Sequence, residues 1–327
     1  MEIDSASCSL VLAVADAAHV DGARRAIIRQ ATRLTQDEDL LGRITVVVQE
    51  MGRNLINHAG QGELVYRQST GNMEIIARDN GPGMGNVAKC LVDHYSTTGT
   101  MGVGLGAIQR MSDRFDVFSQ PGAGTVVYAG FNLAAEPERP LSVGAVCSPY
   151  PGEDVSGDTW TFKGRRVMVC DGLGHGRAAH AASQRAREVF EQHDEGTPLP
   201  RLMEQLHRAL MSTRGGAVAL AEIQPEAGQV EFCSVGNVAG VLFSGKNRSM
   251  VSSNGTVGYR MGRINTFTYP WDPSTLLIMT SDGISTKLDL APYPGLLQRH
   301  PAVVAALIHR DFRRLNDDAT VVVARVE

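Results

Sequence analysis

The spacing of apolar residues along the first half of the chain changes from strand-like to helical and back again. Two long segments repeat apolar positions every three or four residues, as amphipathic helices do, and a shorter helical segment follows a glycine-rich stretch. These predicted helices are residues 19–34, 37–57 and 104–111. Continuous or alternating apolar runs predict strands at residues 9–14, 64–68, 73–77, 114–119 and 124–132. Helices followed by a mostly antiparallel sheet indicate an α+β domain.

The second half contains many more strand-like runs than helical ones. The predicted strands are residues 143–147, 159–163, 166–170, 217–223, 230–235, 240–244, 266–269, 276–280 and 320–325. Helical spacing is found in residues 177–193, 199–213 and 301–315. Many antiparallel strands interrupted by long helices indicate a β-sandwich flanked by helices.

A short polar segment separates the two halves. Residues 134–140 read Ala-Ala-Glu-Pro-Glu-Arg-Pro, and two prolines with alternating charges favour an extended, solvated linker. A chain of 327 residues is long enough for two domains, each with its own core. We therefore expect an N-terminal domain at residues 1–135, a linker at 136–141 and a C-terminal domain at 142–327.

Composition places the chain among ordinary globular proteins. Hydrophobic residues make up 43% and charged residues 20%, and the net charge of −4 shows no bias toward nucleic acids or acidic membranes. The five cysteines form no Cys-x-x-Cys pair, so neither a zinc site nor a disulfide framework is expected. Glu2 and Asp4 give the N-terminus the wrong charge for a signal peptide, and no apolar run reaches the length of a membrane span. We expect a cytoplasmic protein with neither a nucleic-acid nor a membrane partner.

Two glycine-rich stretches in the first half point to a phosphate-containing ligand. Asp79-Asn-Gly-Pro-Gly follows a predicted strand, and Gly99-Thr-Met-Gly-Val-Gly-Leu-Gly leads into a predicted helix. Glycine lets the backbone approach a ligand closely, and a helix N-terminus favours an anion. On the preceding helix, Glu50 and Asn54 are four residues apart, so their side chains project together. Alone, these two fit either a solvated helix face or a site in which a carboxylate base lies beside a Mg²⁺-binding amide.

Taken in order, these motifs resemble those of the GHKL ATPases, which have a Bergerat α/β-sandwich fold. The run from Gln49 to Asn54 is most similar to the bacterial anti-sigma-factor serine kinases. The resemblance covers about residues 8–133 and implies binding of ATP and Mg²⁺. It implies that Glu50 is a general base, that Asn54 is a Mg²⁺ ligand and that Asp79 accepts a hydrogen bond from the adenine amino group. The other residues that it places around the nucleotide are Gly81, Gly83, Gly102, Gly104 and, at the adenine end, Thr125.

Acidic residues of the second half stand where predicted strands end. They occur in Val-Ser-Gly-Asp158, Asp171-Gly-Leu-Gly-His-Gly, Ser-Asp282-Gly and Asp317-Asp-Ala-Thr. A carboxylate directly after a buried strand is unfavourable unless its charge is offset. One Asp-Gly pair is an ordinary turn, but four oxygen-rich sites suit a pair of hard divalent cations. Two such cations about 4 Å apart can activate water for attack on a phosphate ester.

These four motifs resemble the metal-dependent serine/threonine phosphatases of the PPM family, and two of them are similar to its bacterial SpoIIE branch. The resemblance covers about residues 142–327 and implies two Mn²⁺ or Mg²⁺ ions. Asp171 would bridge both ions and act in catalysis. The other implied ligands are Asp158 and the Gly172 carbonyl for one ion, and Asp282 and Asp317 for the other.

Three features of the phosphatase motifs remain open. Asp318 stands where the family often has asparagine, so its role is not assigned. His175 is either a phosphate contact or general acid, or a residue that stabilises its loop. No arginine stands where larger relatives grip the phosphate, so we expect substrate affinity to come from docking elsewhere.

Together the two resemblances imply a bifunctional regulator of bacterial partner switching. The first domain would phosphorylate a serine or threonine of a STAS-domain protein, and the second would remove the phosphate. Further implied partners are a sigma factor or a downstream phosphatase or cyclase regulator. Two alternatives are an ATP-dependent binding module that sequesters a partner without phosphorylating it, and a nucleotide sensor that controls a single-function phosphatase. The presence of Glu50 favours catalysis, because a pure binding module does not need a base.

Overall fold

The computed structural model describes residues 8–69, 71–91, 104–133 and 140–327. The chain divides into two compact units, Ser9–Pro137 and Glu138–Glu327, and Cys8 belongs to the second. Gly102 and most of the predicted linker at 136–141 lie outside the described residues. The two units have separate sheets and separate hydrophobic cores.

The N-terminal unit is a five-stranded antiparallel sheet packed against helices. Its strands are β1 (Leu10–Val14), β2 (Gly62–Ser69), β3 (Asn72–Asp79), β4 (Arg114–Ser119) and β5 (Thr125–Asn132). Its helices are α1 (Ala17–Ala31), α2 (Glu38–Asn54), the short α3 (Val87–Cys90) and α4 (Gly104–Met111). The strands pair in the order β1-β2-β3-β5-β4, and the α+β prediction is confirmed.

Side-chain spacing and aspartate caps explain why the two long helices form where they do. Asp16 accepts a hydrogen bond from the backbone N–H of His19 at the start of α1, and Asp37 accepts two from the first turn of α2. The buried stripe of α2 includes Ile44, Val47 and Met51, which pack in one core with alternate residues of the sheet. This packing fixes the orientation of the polar residues at the end of α2.

Helix α2 ends differently from the prediction, which extended one regular helix to residue 57. The chain continues beyond Asn54 as a π-helix, Leu55–Ala59, and Gly60 ends it at a φ of 80°. The wider turn places Ala59 against the loop after β3: a Cβ added to Gly81 would lie 2.7 Å from the Cβ of Ala59. The end of α2 is therefore held against the Asp79 loop.

The C-terminal unit is a sandwich of two five-stranded antiparallel sheets with helices outside. Its strands are β6 (Leu141–Ser148), β7 (Asp158–Lys163), β8 (Arg166–Gly172), β9 (Gly216–Gln224), β10 (Gln229–Val235), β11 (Ala239–Phe243), β12 (Asn247–Ser249), β13 (Gly255–Thr256), β14 (Arg260–Met261), β15 (Thr266–Pro270), β16 (Leu276–Thr280) and β17 (Ala319–Val326). Its helices are α5 (Arg177–Gln192), α6 (Leu199–Leu210) and α7 (Pro301–Phe312), with short 3₁₀ turns at Pro225–Ala227 and Leu296–Gln298.

The two sheets enclose one core and carry helices on their outer faces. The sheet orders are β15-β10-β9-β8-β7 and β12-β11-β16-β17-β6. Inward side chains of both sheets meet in the core, among them Cys147, Leu277, Val167 and Phe232. Helices α5 and α6 cover the first sheet, and α7 packs on β6 and β17. The predicted β-sandwich flanked by helices is confirmed.

Several elements differ from the prediction. Strand β12 and the two-residue strands β13 and β14 were not predicted, because they are short and largely exposed and so show no apolar alternation. Helix α7 ends at Phe312, three residues earlier than predicted. Among the described residues, no helix is long and apolar enough to span a membrane.

Candidate active sites

The side chains of Glu50 and Asn54 converge on the first residue of α4. A Cβ added to Gly104 would lie 3.1 Å from Asn54 Oδ1 and 3.2 Å from Glu50 Oε2. Arg53 Nη1 donates to Glu50 Oε1 at 2.8 Å and so helps to orient this carboxylate. A carboxylate and an amide oxygen therefore meet at a helix N-terminus, as binding of Mg²⁺ with a nucleotide phosphate requires.

Asp79 is the centre of a hydrogen-bonded loop that follows β3. Its Oδ1 accepts hydrogen bonds from the backbone N–H groups of Gly81 at 2.8 Å and Thr125 at 3.2 Å. The Thr125 hydroxyl lies 2.8 Å from Ser119 Oγ, which also accepts from the N–H of Met84 at 2.8 Å. The structure thus brings together the predicted residues Asp79, Gly81 and Thr125. Ser119 joins them, and no pattern in the sequence had indicated it.

Gly83 allows this loop to pack directly on the turn between β4 and β5. Its φ is 68°, and an added Cβ would lie 2.1 Å from the carbonyl oxygen of Gln120. The neighbouring Pro82 carbonyl accepts a hydrogen bond from Gly122 N at 2.8 Å. A side chain at residue 83 would therefore both strain the backbone and force the two segments apart.

Four aspartates of the C-terminal unit lie close together at one end of the sandwich. Asp158 and Asp171 are register partners on the neighbouring strands β7 and β8. Asp171 is close enough to Asp158, Asp282 and Asp317 for the charges of all three to raise the pKa of its carboxyl group. The structure thus brings together four predicted metal ligands that are far apart in the sequence, with Gly172 next to Asp171.

Burial and like charge act together on Asp171. Burial raises the pKa of its carboxyl group well above the ordinary value, and the charges of Asp158, Asp282 and Asp317 raise it further. A divalent cation bound by these carboxylates would offset the like charges that raise the pKa of Asp171.

Asp158 is fully buried and only partly satisfied. Burial raises the pKa of its carboxyl group, whereas the hydrogen bond from Ser281 Oγ to Oδ2, at 2.6 Å, lowers it. The nearby charge of Asp318 raises it again. Within the described part of the chain, Asp158 Oδ1 has no hydrogen-bond partner of normal geometry, although the nearby Thr320 hydroxyl lowers the pKa of the carboxyl group. A buried carboxylate oxygen without a regular hydrogen bond, beside a second buried carboxylate, is unfavourable unless a positive charge nearby offsets it.

The oxygen-only donor set fits hard divalent cations such as Mn²⁺ and Mg²⁺. The carboxylates are held mainly by neighbouring residues: Asn237 Nδ2 donates to Asp282 Oδ2 at 2.5 Å. No three His, Cys, Asp or Glu side chains among the described residues already surround a common point as metal ligands. The orphaned oxygen of Asp158 and the raised pKa values support this fit.

Asp317 and Asp318 have different environments. Burial and the charge of Asp282 raise the pKa of Asp317, while the charges of His175 and Arg314 lower it. Asp318 is almost fully buried, and its Oδ1 accepts a hydrogen bond from Tyr150 N at 2.8 Å. Asp318 therefore holds the loop before β7, whereas Asp317 lies beside the carboxylate with which it was predicted to share an ion.

His175 is tied to a loop at the edge of the aspartate cluster. Its Nδ1 lies 2.9 Å from Glu153 Oε1, and its ring stacks on Tyr150 with ring centres 4.4 Å apart. The neighbouring Gly176 leaves room for this contact, because an added Cβ would lie 2.9 Å from the same Glu153 oxygen. These contacts fit the alternative in which His175 stabilises its loop.

Three polar residues near the aspartates were missed by sequence reasoning. Ser281 and Asn237 bind Asp158 and Asp282, and Arg214 places its Nη1 3.3 Å from the position of a Cβ on Gly174. Ser281 stands directly before Asp282, so its position in the motif was a usable signal. Asn237 and Arg214 gave no such signal, because only strand pairing brings them to this end of the sandwich.

The two halves of the chain match two different protein families. Residues 163–327, half of the chain, match the family model described as "Stage II sporulation protein E (SpoIIE)", and residues 13–131 match "Histidine kinase-like ATPase domain". Over 91 residues the chain is 36% identical to "Serine/threonine-protein kinase RsbT" of Bacillus subtilis (strain 168), which covers 27% of this chain and 68% of RsbT. Over 140 residues it is 25% identical to "Phosphoserine phosphatase RsbX" of the same organism, covering 41% of this chain and 70% of RsbX.

A solved structure matches more than half of the chain. It is described as "The bacterial stressosome: a modular system that has been adapted to control secondary messenger signaling". It is 27% identical to this chain with a TM-score of 0.51, and the match covers 57% of this chain and 99% of the other. These findings confirm both resemblances stated from the motifs. The chain belongs to the SpoIIE family of PPM-type serine/threonine phosphatases and carries, in addition, an N-terminal histidine kinase-like ATPase domain similar to RsbT.

Proposed function

We propose that this chain is a bifunctional switch that phosphorylates a serine or threonine of a STAS-domain protein and also removes that phosphate. The observation that carries the proposal is that each unit gathers its own set of reactive residues. Glu50 and Asn54 converge on Gly104 in one unit, and the four aspartates crowd together in the other. One chain therefore holds groups suited to two opposite reactions of the same phosphate ester.

In the phosphatase reaction, Asp171 would bridge two Mn²⁺ or Mg²⁺ ions. Asp158 and the Gly172 carbonyl would serve one ion, and Asp282 and Asp317 the other. When bound, the ions would polarise the phosphate and lower the pKa of water. The chain's other residues position these ligands: Ser281 holds one oxygen of Asp158, and Asn237 holds one oxygen of Asp282.

In the kinase reaction, the oxygen of the substrate hydroxyl would attack the γ-phosphorus of ATP, and ADP would leave. Glu50 would accept the proton of that hydroxyl. Asn54 would hold Mg²⁺, and Asp79 would accept a hydrogen bond from the adenine amino group. The loops around the nucleotide would be shaped by Gly81, Gly83, Gly102, Gly104 and Thr125. Two observations support these roles: the hydrogen bonds of the Asp79 loop, and the short distances from Gly104 to the side chains of Glu50 and Asn54.

The chain is similar to a kinase and to a phosphoserine phosphatase of one organism. This similarity supports a single protein substrate that one domain phosphorylates and the other dephosphorylates. We infer that this substrate is a STAS-domain protein and that a sigma factor, or a downstream phosphatase or cyclase regulator, responds to its phosphorylation state. Opposite reactions on one substrate would only consume ATP. A partner, the nucleotide level or the use of distinct substrates must therefore keep the two activities apart.

A second candidate function is a phosphatase whose N-terminal domain senses ATP or binds an anti-sigma partner without catalysis. The ion pair between Glu50 and Arg53, at 2.8 Å, favours this candidate, because it occupies a carboxylate oxygen that a general base would need for the substrate hydroxyl. The two candidates differ in one observable: only the bifunctional switch transfers the γ-phosphate to a protein.

The deciding experiment uses Asp282→Asn, in which phosphorylated product is expected to persist. The full-length variant is incubated with γ-labelled ATP, Mg²⁺ and each STAS-domain protein from the same cell. We expect label on a serine or threonine, loss of this labelling in Asp282→Asn/Glu50→Ala, and removal of the label by wild-type protein with Mn²⁺. Measurable ATP binding without label on any STAS-domain protein would contradict the switch and support the sensor.

A further inference from the structure

One segment of the C-terminal unit carries positive charge only. Residues 232–271 contain Lys246, Arg248, Arg260 and Arg263 but no Asp or Glu, in a chain whose net charge is −4. Arg260 and Arg263 are exposed, and neither has an ion pair with a carboxylate within the ranges that the structure describes. Exposed arginines without an acidic partner in a chain of negative net charge are available to an acidic ligand.

The β13–β14 hairpin in this segment is joined directly to the strand end that carries the metal-ligand candidates. Gly172 is the register partner of Gly216, and Gly216 exchanges two backbone hydrogen bonds with Val257, at 3.0 and 2.8 Å. Val257 lies between the two strands of the hairpin, so Arg260 follows it by three residues. The positive hairpin therefore stands beside the aspartate cluster.

Exposed apolar side chains surround the same hairpin. Tyr259 is 83% exposed, Met211 66% and Leu173 57%, although large apolar groups are usually covered. The backbone segments that carry these side chains are adjacent. The Leu173 N–H donates a hydrogen bond to the Gly215 carbonyl at 3.0 Å, and a Cβ added to Gly258, next to Tyr259, would lie 2.7 Å from the carbonyl oxygen of Leu210, next to Met211. Exposed apolar groups concentrated beside one site mark an interaction surface.

Arg214 connects this surface to the aspartate cluster. Its side chain is exposed, and its Nη1 lies over the loop that follows Asp171, 3.3 Å from the position of a Cβ on Gly174. No carboxylate partner of Arg214 is found in the part of the chain that the structure describes. The positive charge thus continues from the hairpin to the edge of the site.

We propose that Arg214, Arg260 and Arg263, with Leu173, Met211 and Tyr259, form a docking surface for an acidic segment that flanks the phosphoserine or phosphothreonine of a protein substrate. This surface, named here the hairpin surface, deepens the proposed phosphatase function and rests on it. Guanidinium groups pair with carboxylates and phosphates through two parallel hydrogen bonds, and the apolar side chains add contact area. Charge complementarity selects the occupant, because a negatively charged chain otherwise repels an acidic substrate.

The test compares two phosphopeptides with the same phosphoserine and the same apolar residues. One has Asp and Glu as flanking residues, and the other has Asn and Gln in their place. The full-length protein carries R260E/R263E, which reverses both charges of the hairpin. Hydrolysis of each peptide and of p-nitrophenyl phosphate is measured with Mn²⁺, and peptide binding is measured by fluorescence anisotropy in EDTA.

K246E/R248E is the matched control, because it makes the same charge change in the same acid-free segment. These residues lie at β12, where Asn247 pairs with Phe243, and Phe243 in turn pairs with Leu276 at the start of β16. Asp282 follows the other end of β16, so the control residues stand at the far end of the sheet. A general effect of net charge would change both double variants equally.

In R260E/R263E we expect kcat/KM for the acidic peptide to fall on the order of tenfold and to become less dependent on salt. The neutral peptide and p-nitrophenyl phosphate should be hydrolysed at nearly the wild-type rate, and K246E/R248E should retain the preference for the acidic peptide. An equal loss for both peptides, or an equal loss in the control variant, would overturn the proposal.

Failure of the phosphatase function has a different signature. If wild-type protein with Mn²⁺ hydrolyses neither peptide nor p-nitrophenyl phosphate, the proposed reaction is wrong. In that case the anisotropy measurement still tests the hairpin surface. If wild-type protein binds the acidic peptide more tightly than the neutral one and R260E/R263E does not, the hairpin surface is supported. If both proteins bind the acidic peptide equally well, the proposal is overturned.

Discussion

At Asp158 and Asp171, burial and like charge act in the same direction. Both carboxyl groups have pKa values raised in the folded chain, so between about pH 4 and the raised values the folded state holds protons that the unfolded state releases. The contribution of these groups to stability is complete below about pH 4 and is lost progressively as pH rises to about 8 for Asp158 and about 10 for Asp171. In EDTA, we expect the melting temperature to fall over this range, and Mn²⁺ should restore it.

Substitution identifies the residues responsible for this pH dependence. Asp171→Asn removes one buried titrating carboxyl group at nearly constant shape, so the fall in melting temperature between pH 5 and 8 in EDTA should become clearly smaller. Asp194→Asn, at an exposed carboxylate, should keep the wild-type slope. Melting curves by scanning fluorimetry would show this difference. The same slope in Asp171→Asn and wild type would contradict the assignment of the destabilisation to the aspartate cluster.

The sequence identified residues that belong to a motif and missed those that only meet in space. Asp171 and Asp282 were predicted because each stands in an Asp-Gly pair after an apolar strand, and Asp79 because it opens a glycine-containing loop after one. Asn237 contacts Asp282 across 45 positions of the chain, and nothing in the sequence around it indicated this contact. Arg214 was missed for the same reason, since only the pairing of β8 with β9 brings the residues before β9 over the Asp171 loop.

Among the secondary-structure elements, the Asp79 loop depends most strongly on one glycine. Gly83→Ala would place a Cβ 2.1 Å from the Gln120 carbonyl oxygen at a φ of 68°, so the loop must separate from the β4–β5 turn. Backbone strain of this kind costs roughly 1–3 kcal/mol. If the loop binds adenine as proposed, we expect the affinity for Mg·ATP to weaken about tenfold or more, as titration calorimetry would measure.

Gly85→Ala is the matched control for this prediction, because no atom lies within 4 Å of a Cβ added at residue 85. It should bind Mg·ATP as the wild type does. Unchanged affinity in Gly83→Ala, with a folded protein confirmed by its melting curve, would mean that this loop does not form the nucleotide pocket.

Element types were predictable from periodicity, whereas departures from regular geometry were not. The stripe of Ile44, Val47 and Met51 predicted α2, but the same spacing continued past Asn54 and gave no sign of the π-helix. That widening follows from tertiary packing of Ala59 against Gly81. The β13–β14 hairpin was missed for a related reason: its strands have two residues each, too few for an alternating pattern.

At the scale of the whole molecule, each candidate site is assembled from residues of its own compact unit. Glu50 contacts Arg53 and lies beside Gly104, whereas Asp282 contacts Asn237 and Asp171. Substitutions that share no contacts usually have additive effects. The two proposed activities should therefore be separable by single substitutions, although one chain carries both.

We accordingly expect Glu50→Ala to abolish transfer of the γ-phosphate while Mn²⁺-dependent hydrolysis of p-nitrophenyl phosphate stays within about twofold of wild type. Asp282→Asn should abolish that hydrolysis and leave the affinity for Mg·ATP unchanged. Both activities and the melting temperature would be measured on the same preparations of each variant and of the double variant. Loss of both activities after either substitution would contradict independent sites. If the melting temperature were also lowered, the loss would be assigned to damage of the fold. An unchanged melting temperature would instead show that the state of one site controls the chemistry of the other.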